Sequence, residues 1–74
     1  MLDHKKLREA RLELSEIEAG WTQGDVASKV GVTAQAYRNW EQGHHLPNQY
    51  HYNQLKIIFA ERGFSISTVF NKVV

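Results

Sequence analysis

The stretch that most constrains this chain is residues 22–47, TQGDVASKVGVTAQAYRNWEQGHHLP. Two helix-length runs flank one glycine, each opened by a threonine able to cap it, and a Gly…Pro stop closes the second. In the first run, about Gln23 to Val30, Val26, Ala27 and Val30 fall on one face, and Asp25 stands where an acid suits the positive helix end. Gly24 weakens that helix by roughly 1 kcal/mol relative to alanine. Gly31 supplies the turn and Val32 plugs the corner. Thr33 then caps a run over about Ala34 to Gln42, with Tyr37 and Trp40 facing inward and Gly43 ending it.

The flanks supply the rest of a helical core. Leu7, Ala10, Leu14 and Ile17 recur at spacings of three and four, a helix starting near Asp3 and stopping before Gly20. A shorter form would end near Leu14 and leave SEIEAG as a loop; the longer form is preferred. After the loop HHLPN, a fourth helix is predicted over residues 49–61, with Tyr52, Leu55, Ile58 and Phe59 as its stripe and Gly63 as its stop. The tail FSISTVFNKVV supports two readings. Ile66, Val69 and Phe70 suit a short helix capped by Ser65, the preferred form, whereas Phe64, Ile66, Thr68 and Phe70 alternate like a strand.

Seventy-four residues make a single domain, here 1–74, all-α with four to five helices. A chain this short buries only about 60% of its unfolded surface, so it needs a tight helical core or a partner subunit. With no cysteine there is no disulfide, zinc–thiolate site or thiol nucleophile. No apolar run approaches the roughly 18 residues of a membrane span, and MLDHKKLREA does not read as a signal peptide. The expected setting is cytoplasmic, with no membrane partner.

The net charge is +1, but its distribution is uneven. Glu9, Glu13, Glu16 and Glu18 cluster against Arg11 alone, whereas residues 21–60 carry Lys29, Arg38, Lys56 and three histidines against Asp25 and Glu41. Nucleic-acid binding needs one basic face, not a basic total.

The residues Thr22-Gln23, Ala27, Gly31-Val32-Thr33, Tyr37, Trp40-Glu41, Gly43 and Pro47 resemble the lambda repressor and Cro-like (Cro/C1-type, or Xre) family of helix-turn-helix regulators. The likeness extends from about Leu7 to Phe70. Three features depart from the family pattern. The segment between Arg11 and Thr22 is about one helical turn longer, Gly24 replaces a helix former, and Ala34 stands where many relatives carry a polar base reader.

The resemblance implies a lambda-repressor-like DNA-binding domain with its helix-turn-helix at about 22–42. The third helix would enter the major groove of double-stranded DNA. Gln35 and Asn39, four apart, are candidate base readers, because an amide can bind adenine through N6 and N7. Arg38 suits a guanine edge or a phosphate, Thr33 a base edge or a phosphate, and Ala34 a thymine methyl. Thr22 and Gln23 are candidate phosphate anchors at a helix N-terminus, with His44 and His45 at the fringe. Gln35 and Asn39 could instead be solvated surface, Arg38 could pair with Glu41 or with an acid of the second helix, and Thr22 could be a plain N-cap. Glu41 is expected in an ion pair with Arg11 or Arg8, away from DNA.

Four histidines without cysteine give no metal-site spacing, and no nucleophile–base set or phosphate-binding glycine loop stands out. Neither metal, cofactor nor catalysis is expected. One helix reads only a few base pairs, so the resemblance implies a homodimer on an inverted-repeat operator, with residues 64–74 as candidate dimer contact or as completion of the monomer core. The expected function is that of a small transcriptional regulator, a Cro-like or phage-type repressor acting by promoter occlusion. The alternative is a protein-binding module, such as an antitoxin or an antirepressor.

Overall fold

The computed structural model describes residues 2–67. Four helices follow one another: α1 (His4–Ile17), α2 (Gln23–Val30), α3 (Ala34–Gln42) and α4 (Gln49–Ala60). Each begins on a polar side chain that accepts backbone N–H groups the helix cannot satisfy itself. Asp3 accepts from Lys5 and Lys6, Thr22 from Asp25, Thr33 from Ala36 and Asn48 from His51. At α2 the cap is reciprocal, since the Asp25 carboxylate accepts the Thr22 N–H at 3.1 Å. Those bonds hold the Asp25 carboxyl below its ordinary range.

The apolar stripes meet in one core. Leu7, Ala10 and Leu14 of α1 pack with Val26, Ala27 and Val30 of α2, Tyr37 and Trp40 of α3, and Leu55 and Phe59 of α4. Val32 packs against this cluster from the turn, as expected. Gly31, with φ of 89°, makes that turn and donates to the carbonyls of Ala27 and Ser28.

The long form of α1 is the one observed, but Ile17 does not extend the core stripe: it is 72% exposed. The core is completed instead from the following loop by Trp21, which is 2% exposed. Trp21 meets Phe59 at 5.3 Å between ring centroids, and its indole N–H donates to Glu18 at 2.6 Å.

α4 stops at Ala60, one residue before the expected end, and the chain reverses through Gly63 at φ 84°. The preferred helix opening after Ser65 is not present over residues 66 and 67. Ser67 instead forms an isolated antiparallel bridge with Leu2, and the Asp3 N–H donates to the Ile66 carbonyl at 3.0 Å. Extended backbone lets Ile66, 1% exposed, reach the core while supplying an acceptor to the entry of α1. Phe64 also packs on the core, so this part of the tail completes the monomer. Val69 and Phe70, and with them the rest of the candidate dimer contact, lie outside the described residues. Among the described residues no helix is long and apolar enough to cross a membrane.

Candidate nucleic-acid interface

The candidate interface is built around α3. Its inward side carries Tyr37, Trp40 and Glu41, all buried, and its outer edge carries Gln35, Arg38 and Asn39. Glu41 pairs with Arg11, the first of the two expected partners, while Arg8 stays exposed. The pair is bidentate: Arg11 Nε donates to Glu41 Oε2, and Nη2 donates to Oε1 at 3.1 Å. Arg11 Nη1 also donates to the Trp21 carbonyl at 3.3 Å, so one guanidinium joins α1, the α1–α2 loop and α3. The extra turn between Arg11 and Thr22 is therefore absorbed by the length of α1 and by the loop, leaving the ion pair in place.

Burial pushes the Glu41 carboxyl up, but hydrogen bonds from Arg11 and Gln23, with the Tyr37 hydroxyl close by, outweigh it and hold the group below the ordinary carboxylate range. The same bond raises Arg11 above its usual value despite burial. Tyr37 lies beside both charges, yet its buried hydroxyl meets neither at ordinary hydrogen-bond geometry. Burial chiefly, with the adjacent Glu41, raises its phenol well above the ordinary tyrosine range.

From the ion pair a line of side chains leads to the surface. Gln23, the first residue of α2, donates from Nε2 to Glu41 Oε1 at 3.0 Å. Its carbonyl oxygen accepts from Arg38 Nε across a long 3.4 Å. Arg38 Nη1 donates to Gln35 Oε1 at 2.6 Å, and Gln35 Nε2 donates to Asn39 Oδ1 at 3.2 Å. The structure thus gathers Gln23, Gln35, Arg38 and Asn39 into one linked set.

The remaining candidates stand at its margins. Thr22 and Thr33 are exposed caps at the starts of α2 and α3, and Ala34 is half-buried. His44 and His45 are exposed just past the α3 terminus, their backbone N–H groups donating to the Asn39 carbonyl at 3.0 and 3.4 Å. Two cations counted toward a basic face sit over aromatic rings: Lys29 lies 4.0 Å from the Trp21 ring centroid and Lys56 lies 5.2 Å from that of Tyr52. Arg38 is the cation tied into the α3 edge. Among the described residues no group of three His, Asp or Glu side chains could hold a metal ion.

Two supporting residues carry no early signal in the sequence. Trp21 precedes the α2 cap, where an apolar residue staples a helix entry, but one tryptophan outside a stripe does not declare itself. His4 lies against Gly43: a Cβ there would approach its ring to 3.0 Å, and Gly43 also takes φ of 78°. Glycine at that site therefore both ends α3 and lets the start of α1 close onto it.

Comparison with known proteins agrees with this geometry. A family model described as helix-turn-helix matches residues 5–51, from early α1 into α4 and spanning the whole α2–α3 unit. No curated protein matches the chain. No solved structure matches it either. A buried ion pair behind two capped helices set around a glycine turn, together with that match over most of the chain, makes this protein a member of the Cro/C1-type helix-turn-helix family of DNA-binding transcription regulators.

Proposed function

We propose that the chain is a sequence-specific binder of double-stranded DNA that represses transcription by occluding a promoter, in the manner of a small Cro-like phage repressor. The observation that carries this reading is the linked set on α3. Gln35, Arg38 and Asn39 form one polar edge, and Gln23 of α2 is tied to the same set, next to the free N–H groups of that helix terminus. In this reading α3 lies in the major groove. Gln35, Arg38 and Asn39 meet base edges, with Thr33 and the Ala34 methyl beside them. Thr22, Gln23, Arg38, His44 and His45 fix the register on phosphates. Gln23 spends one amide hydrogen on Glu41 and keeps another for a phosphate oxygen.

One α3 reads too few base pairs for an operator, so the active species is a homodimer on an inverted repeat, its two reading helices about 34 Å apart. Binding to a selected duplex should weaken steeply with salt, log K falling with log salt by about 0.9 for each phosphate neutralised. Failure to retain any duplex from a random pool, or a salt-insensitive complex, would assign the main surface to a protein partner instead, as in an antitoxin or antirepressor.

A further inference from the structure

Among the described residues, the large apolar side chains left exposed are Leu12, Ile17, Leu46, Tyr50 and Ile57. Their surroundings differ in charge. Leu12 and Ile17 stand among Glu9, Glu13 and Glu16 of α1, and Ile57 has Lys56 before it and Glu61 one turn on. Leu46 and Tyr50, 67% and 64% exposed, bound the run Leu46-Pro47-Asn48-Gln49-Tyr50, which carries no charge. That run forms the corner between α3 and α4.

The corner has a hollow and a projection. Leu2, Leu46, Pro47, Gln49 and Tyr52 line an open hollow of about 230 Å³. Apolar space of roughly 150 Å³ already accepts a benzene ring, so the hollow has room for one aromatic side chain. Two polar groups on its rim have partners within the chain: Gln49 Nε2 donates to Asn53 at 3.0 Å, and the Tyr52 hydroxyl donates to Ser67 at 2.9 Å. Tyr50 follows Gln49 and is largely exposed, yet its ring is held. It meets the His51 imidazole edge-on at 5.4 Å between centroids, and His51 lies 5.8 Å from Trp40 of the core. An aromatic side chain already fixed in place loses little entropy when a partner covers it, as suits an interface anchor.

The lack of charge selects the partner. The phosphate backbone is held chiefly by lysine and arginine, and this run has neither. A two-fold contact between identical copies sets residues near the axis against themselves, so like charges there would repel. The acids around Leu12 and Ile17 fail that requirement, and the corner meets it. Phe64 and Ile66 pack on the monomer core, which leaves the corner, not that stretch of the tail, as the apolar surface on offer.

We propose that this corner is the contact between two copies of the chain, joined about a two-fold axis beside Leu46, with Tyr50 of each copy seated in the hollow of the other. It supplies the interface of the homodimer invoked above, and rests on that reading only for its role on DNA. A standard interface takes roughly 20–30 residues from each side, and this corner offers far fewer. The free chain therefore pairs weakly, and the pair closes when an operator holds both copies together.

Sedimentation equilibrium of the full chain without DNA, at about 1 mM, where weak contacts are populated, should show reversible dimers. Tyr50→Ala should weaken association by at least about tenfold, and Leu46→Asp and Leu46→Lys should each be monomeric. Both positions are exposed, so the melting curve of each variant should stay close to that of the parent. Mixing Leu46→Asp with Leu46→Lys should restore the dimer, because opposite charges then meet across the axis. On DNA, Leu46→Asp should lose affinity for a selected inverted repeat and keep that for a single half-site. A parent that stays monomeric, or variants that associate as the parent does, would overturn the proposal. A mixture that stays monomeric would overturn the two-fold pairing at Leu46. Equal losses on half-site and inverted repeat would make the corner a DNA contact instead. If a random pool yields no bound duplex while the parent still dimerises, groove entry by α3 fails and this contact stands.

Discussion

The two sides of α3 are built from the same kinds of group and behave oppositely. On the inner side, Glu41 meets Arg11 in the protein interior, with the Glu41 side chain 1% exposed and that of Arg11 10% exposed. On the outer edge, Arg38 meets Gln35, and Gln35 meets Asn39, in contact with solvent. The inner pair has no alternative partner in water, so removal of either member strands a charge. The outer residues can be rehydrated if one is lost, which makes them dispensable for folding and available for a ligand. Gln23 touches both sets and joins the buried pair to the exposed edge.

The largest effect that would break this contrast is at the ion pair. Glu41→Ala leaves the Arg11 guanidinium buried and unpaired and should cost about 3–5 kcal/mol by denaturant unfolding. The double variant Arg11→Met/Glu41→Leu removes both charges and should recover most of that loss. If the double variant were as unstable as the single, the cost would be one of shape and not of charge. The same pair imposes a pH dependence. The Glu41 carboxyl titrates lower in the folded protein than in the unfolded chain, so its contribution is complete above the ordinary carboxylate range and is lost as pH falls through its depressed native value. Melting temperatures of the parent should fall on acidification more steeply than those of the double variant.

On the outer edge, Gln35→Ala should lower affinity for a selected duplex by about 1–3 kcal/mol and relax preference at one base pair, while stability changes by no more than about 0.5 kcal/mol. A uniform loss across all duplexes would make Gln35 a phosphate contact. The smallest effect is at Gly24 in the first turn of α2. Its backbone needs no positive φ, and a Cβ there would meet only the Thr22 hydroxyl at 3.9 Å, ordinary contact. Gly24→Ala should therefore stabilise the domain by about 0.5–1 kcal/mol in thermal unfolding. A loss would mean that the capping box depends on the freedom of that residue.

Much of this architecture is legible along the chain because its signals are local. Thr22, Thr33 and Asn48 cap their helices by accepting an N–H three residues on, and Gly31 and Gly43 take left-handed turns that end theirs. The spacing of Val26, Ala27, Val30, Tyr37 and Trp40 identifies the inner faces before any packing is known. The signal fails where the deciding contact is distant in sequence. Ile17 continues the periodicity of α1 yet finds no neighbour to cover it, whereas Trp21, in no stripe, lands on Phe59. Ile66 suits a helix as well as a strand by pattern. The Asp3 N–H and the space beneath α4 decide for extended chain.

What the sequence by itself determined is the helix-turn-helix frame and the set of residue types on its exposed helix, since caps, turns and periodicity are near-neighbour properties. The tertiary structure alone decided how that helix is joined to the buried ion pair. Arg11 chose Glu41 across thirty residues, Glu41 oriented Gln23, and Gln23 turned its oxygen toward Arg38. A hydrogen bond has a direction that an amino-acid letter does not record: Gln35 takes its sense from Arg38 and Asn39 within one helix, whereas Gln23 took its sense only when the helices were brought together.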